Sequence, residues 1–160
     1  MERDYFRQKA VEYAYAWALS RNPNYYNYDN IGGDCTNFIS QCIYAGSNIM
    51  NYTKTFGWYY KNANDKAPAW TGVEYLYNFL TRKNNSVGPI GKDVNISSIR
   101  IGDIVQLSFD NNIFTHSLIV TDIMNSNIFV STHTEDVLNQ NLGLYNFKKV
   151  RFIHIEKVIY

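Results

Sequence analysis

The stretch "GGDCTNFISQCIYAG", residues 32–46, contains a glycine turn that leads directly into an apolar pattern with helical spacing. This pattern predicts a helix over 35–45, and Gly46 is placed to act as its C-cap. Both cysteines of the chain lie here: Cys35 opens the helix and Cys42 lies on its apolar face. About seven residues of helix separate two side chains by roughly 10 Å, whereas a disulfide needs Cα atoms within about 7 Å. We therefore expect two free thiols.

Helical periodicity also appears on both sides of this stretch. Upstream, residues 4–20 carry apolar side chains at spacings of three and four, and Asn22-Pro23 ends the pattern. Downstream, Thr71 and Glu74 have the spacing of a capping box and predict a helix over 72–82. The N-terminal half is therefore predicted to be mainly helical.

The pattern changes to strands after residue 90. Four segments are rich in β-branched and aromatic residues, and they predict strands over 103–109, 115–123, 127–133 and 149–158. Helices that precede a run of strands are typical of an α+β fold, with the N-terminal helices packed on an antiparallel β-sheet. The length fits a single domain over residues 1–160.

The composition indicates a globular protein without a strong charge bias. Of 160 residues, 46% are hydrophobic and 18% are charged, and the formal net charge is +1. Such a balance gives no electrostatic footprint for a nucleic-acid partner, and the apolar runs are too short for a membrane span. The sequence has no CxxC pair and no Cys/His spacing typical of zinc sites, so we expect no metal.

The first twenty residues form an amphipathic pattern without the apolar core and small-residue cleavage site of a signal peptide. We expect a cytoplasmic protein if Met1 is native, and a secreted or cell-wall protein if the chain is cut from a longer parent. We also expect a monomer.

Cys35 stands where a nucleophilic cysteine is well placed. The thiolate is the reactive form of cysteine, and the N–H groups and dipole at a helix N-terminus stabilise it. The glycines before it permit a sharp turn, and the first N–H groups of the helix suit an oxyanion. The alternative interpretation is that Cys35 is a small buried apolar residue. Cys42, inside the apolar face, fits that second interpretation better.

A nucleophilic cysteine needs a base, and the chain has three histidines. His116 begins one predicted strand and His133 ends the next, so a hairpin would bring the two rings side by side. One imidazole would then orient the other, as the third member of a triad does. Asp136 is the alternative orienting group. His154 has apolar neighbours on both sides and is typical of a structural histidine.

Aromatic residues are concentrated in the irregular segment between the predicted helices. Trp58, Tyr59 and Tyr60 are consecutive, and Trp70 follows. A long loop needs an anchor in the core, so we expect Trp58 and at least one of these tyrosines to be buried.

Five segments together resemble the bacterial putative amidase domain family, which is related to papain-like cell-wall cysteine hydrolases of the NlpC and CHAP types. The segments are "GGDCTNFISQCIYAG", "GWYY", "IRIGDIVQLSF", "THSLIVTDI" and "STHTED", and the likeness runs from residue 1 to about residue 140. The resemblance implies a papain-like fold. It also implies Cys35 as nucleophile, His116 as base and His133 as third catalytic group, with Asp34 and Thr36 in contact with the substrate.

The expected function is hydrolysis of an amide bond by a cysteine amidase or peptidase that needs no cofactor. By resemblance, the substrate is peptide or peptidoglycan of the bacterial cell wall. Two alternatives stay open: a non-catalytic module that binds peptidoglycan or peptide, and a thiol acyltransferase or toxin with the same Cys–His pair. The sequence departs from the family pattern at Ile101, where proline is usual, and at Val137, where an arginine or similar residue is expected.

Overall fold

The computed structural model describes residues 1–110 and 112–160. Helices come first in the chain, and most strands follow them. The elements are β1 (Glu2–Arg3), α1 (Arg7–Trp17), α2 (Cys35–Ser47), β2 (Tyr60–Asn62), β3 (Asp65–Lys66), α3 (Pro68–Thr71), α4 (Val73–Leu80), β4 (Gly88–Val94), β5 (Ile104–Ser108), β6 (His116–Met124), β7 (Asn127–Thr132), β8 (Val137–Asn141) and β9 (Lys149–Ile159). No helix in the described ranges is both long enough and apolar enough to cross a bilayer.

The described strands form one antiparallel sheet and a small separate hairpin of β2 and β3. Strands β5, β6, β7 and β8 follow one another as an antiparallel meander. The long strand β9 pairs with β5 along its first half and with β4 and β1 towards its end. The architecture is therefore α+β with an antiparallel sheet.

The two faces of the sheet pack against different parts of the chain. Because successive side chains of a strand point to opposite faces, Ile104 and Ile119 lie in the core cluster that includes the helices. Val105 and Leu118 lie in a second cluster on the other face, which also contains Leu142 from a short 3-10 helix between β8 and β9. Helix α2 lies on the first face, against β6, and this contact positions the first turn of the helix beside the start of that strand.

Helix α2 begins where the sequence predicts but runs two residues further. It ends at Ser47, and Asn48 follows in the left-handed conformation as its C-cap. The assignment of Gly46 as the C-cap is therefore wrong. A Cβ at this position would lie 2.5 Å from the Tyr5 ring, so Gly46 permits close packing of the N-terminal segment on the helix.

The capping box predicted at Thr71 and Glu74 is also wrong. Thr71 is the last residue of the short helix α3, and α4 begins at Val73 after Gly72, with no side-chain cap. Pro68 stands in the first turn of α3, where its missing N–H costs nothing. The proline, rather than the threonine, starts the helical structure here.

The four predicted strands are confirmed, with ends that differ by at most one residue. Strands β4 and β8 were not predicted. The sequence of β4, "GPIGKDV", contains two glycines and a proline, and β8, "VLNQN", is mostly polar. Both have low intrinsic strand propensity, so their conformation depends on pairing with β9 and β7.

The aromatic segment is anchored in the core as expected. Trp58 and Trp70 are fully buried, and Tyr59 is 6% exposed. The Trp58 indole N–H donates to Ser40 Oγ at 3.0 Å, and the Trp70 indole N–H donates to Asn37 Oδ1 at 3.0 Å. Both acceptors belong to α2, so the two indoles fix the helix that carries Cys35.

Candidate active site

The turn before α2 places Cys35 at the first helical position. Gly32 and Gly33 have φ values of +81° and +96°, which glycine adopts at little cost. Asp34 follows at the N-cap position, and Cys35 is 7% exposed. The first N–H groups of a helix have no intrahelical acceptor, and here the N–H of Thr36 contacts the Cys35 thiol.

Burial decides the protonation state of the cysteine. It raises the pKa of the Cys35 thiol above its ordinary value of 9.0, although the Ser117 backbone N–H and the hydroxyl and N–H of Thr36 act in the opposite direction. The helix N-terminus alone predicts a stabilised thiolate, but here the loss of solvation is the larger effect. The resting side chain is therefore a neutral thiol with proton donors directed at its sulfur.

A buried glutamine starts the chain of donors that ends at the thiol. The Gln106 side chain is fully buried, and its Oε1 accepts from Arg151 Nε and Nη2 at 2.8 and 2.6 Å. Its Nε2 donates to the Val73 carbonyl at 3.0 Å and to Ser117 Oγ at 3.1 Å. Because arginine only donates and a carbonyl only accepts, the orientation of the amide is fixed.

Two further hydrogen bonds connect this glutamine to the nucleophile. Ser117 Oγ accepts from Gln106 Nε2 and lies 3.0 Å from Thr36 Oγ1, a bond in which either hydroxyl can donate. Thr36 Oγ1 lies 3.7 Å from Cys35 Sγ, and the hydroxyl is the donor when the sulfur is a thiolate, because a thiolate can only accept. We call this series, from Arg151 through Gln106, Ser117 and Thr36 to the sulfur, the donor relay. Aligned hydrogen bonds polarise one another, so the relay favours negative charge on the sulfur.

His116 begins β6, one residue before the backbone N–H that contacts the thiol. Its ring centroid lies 6.1 Å from that of Tyr145. Two residues along the strand, Leu118 belongs to the second core cluster, so His116 lies on that face of the sheet. Burial lowers the pKa of His116 to about 4, so the imidazole is neutral at pH 7. No described residue forms a hydrogen bond with either ring nitrogen. The Cys35 thiol thus contacts the residue that follows His116, and no hydrogen bond joins the two side chains in the described part of the chain.

The hairpin prediction that His133 lies beside His116 is wrong. Strands β6 and β7 pair Ile119 with Ser131, and continuing that register puts His133 across from Ser117. Because alternate residues of a strand point to opposite faces of the sheet, His133 lies on the face opposite to that of His116. Its Nδ1 lies 2.6 Å from Asp34 Oδ2, and its Nε2 donates to a backbone carbonyl at 2.8 Å. Both ring nitrogens are occupied, and neither is available as a base.

Asp136, the alternative orienting group, is held by an arginine. Arg21 donates to both carboxylate oxygens of Asp136 at 2.9 Å and also pairs with Asp29. Its Nε lies 3.6 Å from Asp34 Oδ2. Asp136 therefore contributes to the charge network around Asp34, and it makes no hydrogen bond to His116 within the described residues.

Asp34 and Thr36, expected to contact the substrate, have partners inside the protein. Each is 1% exposed. Asp34 Oδ1 accepts from the Tyr28 backbone N–H and from Asn37 Nδ2, at 2.8 and 2.9 Å, while its other oxygen faces His133. Thr36 belongs to the donor relay. Both residues thus support the first turn of α2 from behind the nucleophile.

The third histidine lies at a separate structural cluster. His154 Nδ1 is 2.8 Å from Asp103 Oδ2, and Arg7 Nη1 is 2.6 Å from Asp103 Oδ1. Asp103 is fully buried, so Arg7 balances its charge while His154 occupies its second carboxylate oxygen. In the described part of the chain, no three His, Cys, Asp or Glu side chains are grouped closely enough to hold a metal ion.

Sequence reasoning missed three residues that shape the site: Arg21, Gln106 and Ser117. Arg21 follows the first helix in a polar loop, and nothing local marks it. Gln106 carries the only usable signal, because a glutamine inside the apolar strand pattern "DIVQLSF" must find buried partners. Ser117 directly follows the predicted base, but a serine there has no distinctive pattern.

Comparison with known proteins places the chain among bacterial relatives. It is 28% identical over 145 residues to the uncharacterized protein YjcM of Bacillus subtilis, which covers 86% of this chain and 32% of that protein. It is 29% identical over 119 residues to the uncharacterized protein YhbB of the same organism, covering 72% of this chain and 37% of the relative. The chain therefore spans about a third of the length of these relatives. No solved structure matches it significantly.

The family model described as "Putative amidase domain" matches residues 4–155, almost the whole chain. Its description indicates hydrolysis of amide bonds. The matched range contains the turn before α2, the donor relay and the start of β6. The chain belongs to this putative amidase domain family.

Proposed function

We propose that this domain is a cysteine-dependent amidase in which Cys35 is the nucleophile and His116 is the general base. The family membership supports amide hydrolysis. The α+β architecture, with the cysteine at a helix N-terminus and a histidine at the start of a neighbouring strand, supports a papain-like arrangement.

The observation that carries the proposal is the state of the three imidazoles. His133 and His154 are each tied to a buried carboxylate. His116 is neutral by burial, it alone of the three has no hydrogen-bond partner among the described residues, and it lies one residue from the N–H that contacts the thiol. A general base needs a free lone pair within reach of the proton it accepts. Catalytic hydrogen bonds are often long or poorly aligned before substrate binds, so the role does not require a direct Cys35–His116 hydrogen bond in the resting protein.

The reaction starts from two neutral groups. As the Cys35 sulfur attacks the substrate carbonyl carbon, the thiol proton moves to the free nitrogen of His116. An S–C bond forms, and the carbonyl electron pair becomes an oxyanion. The C–N bond then breaks as His116 returns the proton to the leaving amine, and water hydrolyses the resulting thioester to a free acid and the thiol.

Two sets of donors would stabilise the charges that develop. The donor relay directs the Thr36 hydroxyl at the sulfur, where negative charge appears as the proton leaves. The N–H groups of the first turn of α2 have no intrahelical acceptor and suit the oxyanion. Because both sets are fixed before substrate binds, they need no reorganisation during the reaction.

His133 would act as a positioning residue in this proposal. It holds the Asp34 carboxylate, which in turn holds the Tyr28 N–H and the Asn37 amide on either side of the glycine turn. Its ring also stacks on Phe38, with centroids 4.0 Å apart. The imidazole thereby fixes the backbone that presents the nucleophile.

Cell-wall peptide is the proposed substrate, on the strength of the likeness to papain-like cell-wall hydrolases. The experiment incubates the protein with purified peptidoglycan fragments and measures the release of free amines, with mass spectrometry of the products. Wild type should release amines, whereas Cys35→Ala and His116→Gln should lose at least ~100-fold of that activity. Cys42→Ala is the matched control and should retain it, because Cys42 lies in the core away from the first turn of α2.

The products separate the proposed function from its alternatives. A new acyl partner on the released fragment would indicate acyl transfer. Saturable binding with no released amine would indicate a binding module. Activity that survives Cys35→Ala would contradict the nucleophile assigned here.

A further inference from the structure

A cavity of about 380 Å³ lies beside His116, between the start of β6 and the turn that joins β7 to β8. We call it the β6–β8 pocket. Its walls include Phe109 and Tyr145, and Gln140 lies at its edge. It adjoins the candidate active site through His116, and also through Thr134, whose Oγ1 accepts from the Asp34 backbone N–H at 3.3 Å.

The turn that closes this pocket has an unusual backbone. Thr134 and Glu135 have φ values of +64° and +57°, a left-handed region that side chains other than glycine and asparagine rarely adopt. A β-branched threonine is particularly disfavoured there. Two-residue turns of this geometry usually contain Asn-Gly or similar pairs. The Thr134 hydroxyl is held by the N–H that precedes the nucleophile, and this contact helps to retain the turn.

The strained turn places a solvent-exposed carboxylate, Glu135, on the wall of the pocket. Glu135 is the one acidic or basic side chain, other than the neutral His116, among the described residues that line the cavity. It forms no ion pair with another described residue, whereas eight other Asp and Glu residues do. Burial, with a contribution from the charge of Glu135, raises the pKa of Tyr145 to about 12, so the carboxylate acts directly on the aromatic wall.

From these features we infer that the β6–β8 pocket binds a primary ammonium group of the substrate, with Glu135 as its ionic partner and Phe109 and Tyr145 as its aromatic walls. A carboxylate and aromatic faces together form a favourable environment for an organic cation. The neutral imidazole beside them adds no repulsion. This inference rests on the proposed amidase function, because it treats the pocket as part of the same substrate site.

Two sources of an ammonium group fit this chemistry: the side chain of a diamino residue and the free N-terminus of a peptide. Three probes distinguish them on the Cys35→Ala protein, which needs no activity. Acetyl-Ala-Lys-amide carries only the side-chain ammonium, and Ala-Ala-amide carries only the α-ammonium. Acetyl-Ala-norleucine-amide has neither. Dissociation constants are measured by NMR titration while the His116 and Tyr145 ring signals are followed.

We expect at least one ammonium probe to shift both ring signals and to bind about 3- to 10-fold more tightly than the norleucine probe. Glu135→Gln should remove that advantage, and added salt should weaken it. Glu12→Gln, at an exposed position in α1 away from the pocket, is the matched control and should leave it unchanged. Urea unfolding of both variants would verify that the fold is retained.

Equal binding of the three probes, or an ammonium preference that survives Glu135→Gln, would overturn the inference. Shifts confined to residues outside the pocket would do the same. Because the titrations use a protein without the nucleophile, failure of the amidase assay and failure of this inference are separate results.

Discussion

The pKa of His116 makes the stability of the fold depend on pH in a way that can be measured without a substrate. Burial lowers this pKa from 6.5 to about 4. Above pH 6.5 the ring is neutral in both the folded and the unfolded chain. As the pH falls from about 6.5 to 4, the unfolded chain takes up a proton on this ring and the folded chain does not. Stability is therefore lost on acidification through this window.

The size of the loss follows from the shift of the His116 pKa. The folded and unfolded pKa values differ by about 2.5, and each pKa unit is worth about 1.36 kcal/mol. The free energy of unfolding should therefore fall by about 3 kcal/mol below pH 4 and by about 2 kcal/mol at pH 5. These are upper limits, because the ring keeps some contact with solvent. Few single groups in a domain of this size contribute as much.

The assay compares wild type with His116→Gln by urea unfolding at pH 7, 6, 5 and 4, converting midpoints to free energies. All other groups titrate in both proteins, so the wild-type minus variant difference isolates His116. That difference should become less favourable to wild type by about 2 to 3 kcal/mol between pH 7 and pH 4. Tyr145→Phe, a change beside the ring that does not titrate in this range, should give a constant offset.

A wild-type minus variant difference that stays flat from pH 7 to pH 4 would refute the reasoning. It would mean that the folded imidazole accepts a proton as easily as the unfolded one. The neutral, desolvated base on which the proposed mechanism depends would then be absent.

Three further predictions concern helix α2 and the glycine turn before it. Asp34→Ala should lower the free energy of unfolding by about 3 to 5 kcal/mol, because it leaves the buried His133 without its carboxylate. In a double-mutant cycle, His133→Ala should cost much less in the Asp34→Ala protein than in wild type. Additive costs would contradict the coupling of the two residues. Gly33→Ala should destabilise the fold more than Gly32→Ala. Both residues have positive φ values, but only at Gly33 would an added Cβ contact another atom, Thr134 Oγ1 at 3.2 Å. Equal urea midpoints for the two variants would contradict this prediction. Iodoacetamide should leave Cys42, which is fully buried, unlabelled until urea unfolds the chain, and mass spectrometry of the folded protein would detect a failure.

The sequence determined the elements of the fold where the local pattern is strong. Helix α2 could be placed from its apolar spacing and the glycine pair before it, and strands β5, β6, β7 and β9 from their β-branched and aromatic residues. These signals depend on which face of an element is buried, and that is written in the order of the residues. Strands β4 and β8, which were not predicted, lack such a pattern because neighbouring strands impose their conformation.

The sequence also indicated which residues carry chemistry, but not how they are connected. Cys35 and His116 stood out by residue type and position. The partners of His133 did not, because Asp34 lies 99 residues away along the chain and meets the ring only after the sheet and helix pack together. A one-residue difference in strand register places the His133 side chain on the other face of the sheet, where it contacts Asp34 and not His116.

Protonation was decided by the tertiary structure alone. A helix N-terminus favours the Cys35 thiolate, yet burial raises its pKa, and burial also lowers the pKa of His116. Solvent exclusion depends on every segment that covers a group, so no local pattern reports it. The sequence by itself determined that a cysteine opens a helix and a histidine opens a strand. Only the packing of α2 on β6 brought the first turn of the helix to the start of the strand, and only burial made both groups neutral.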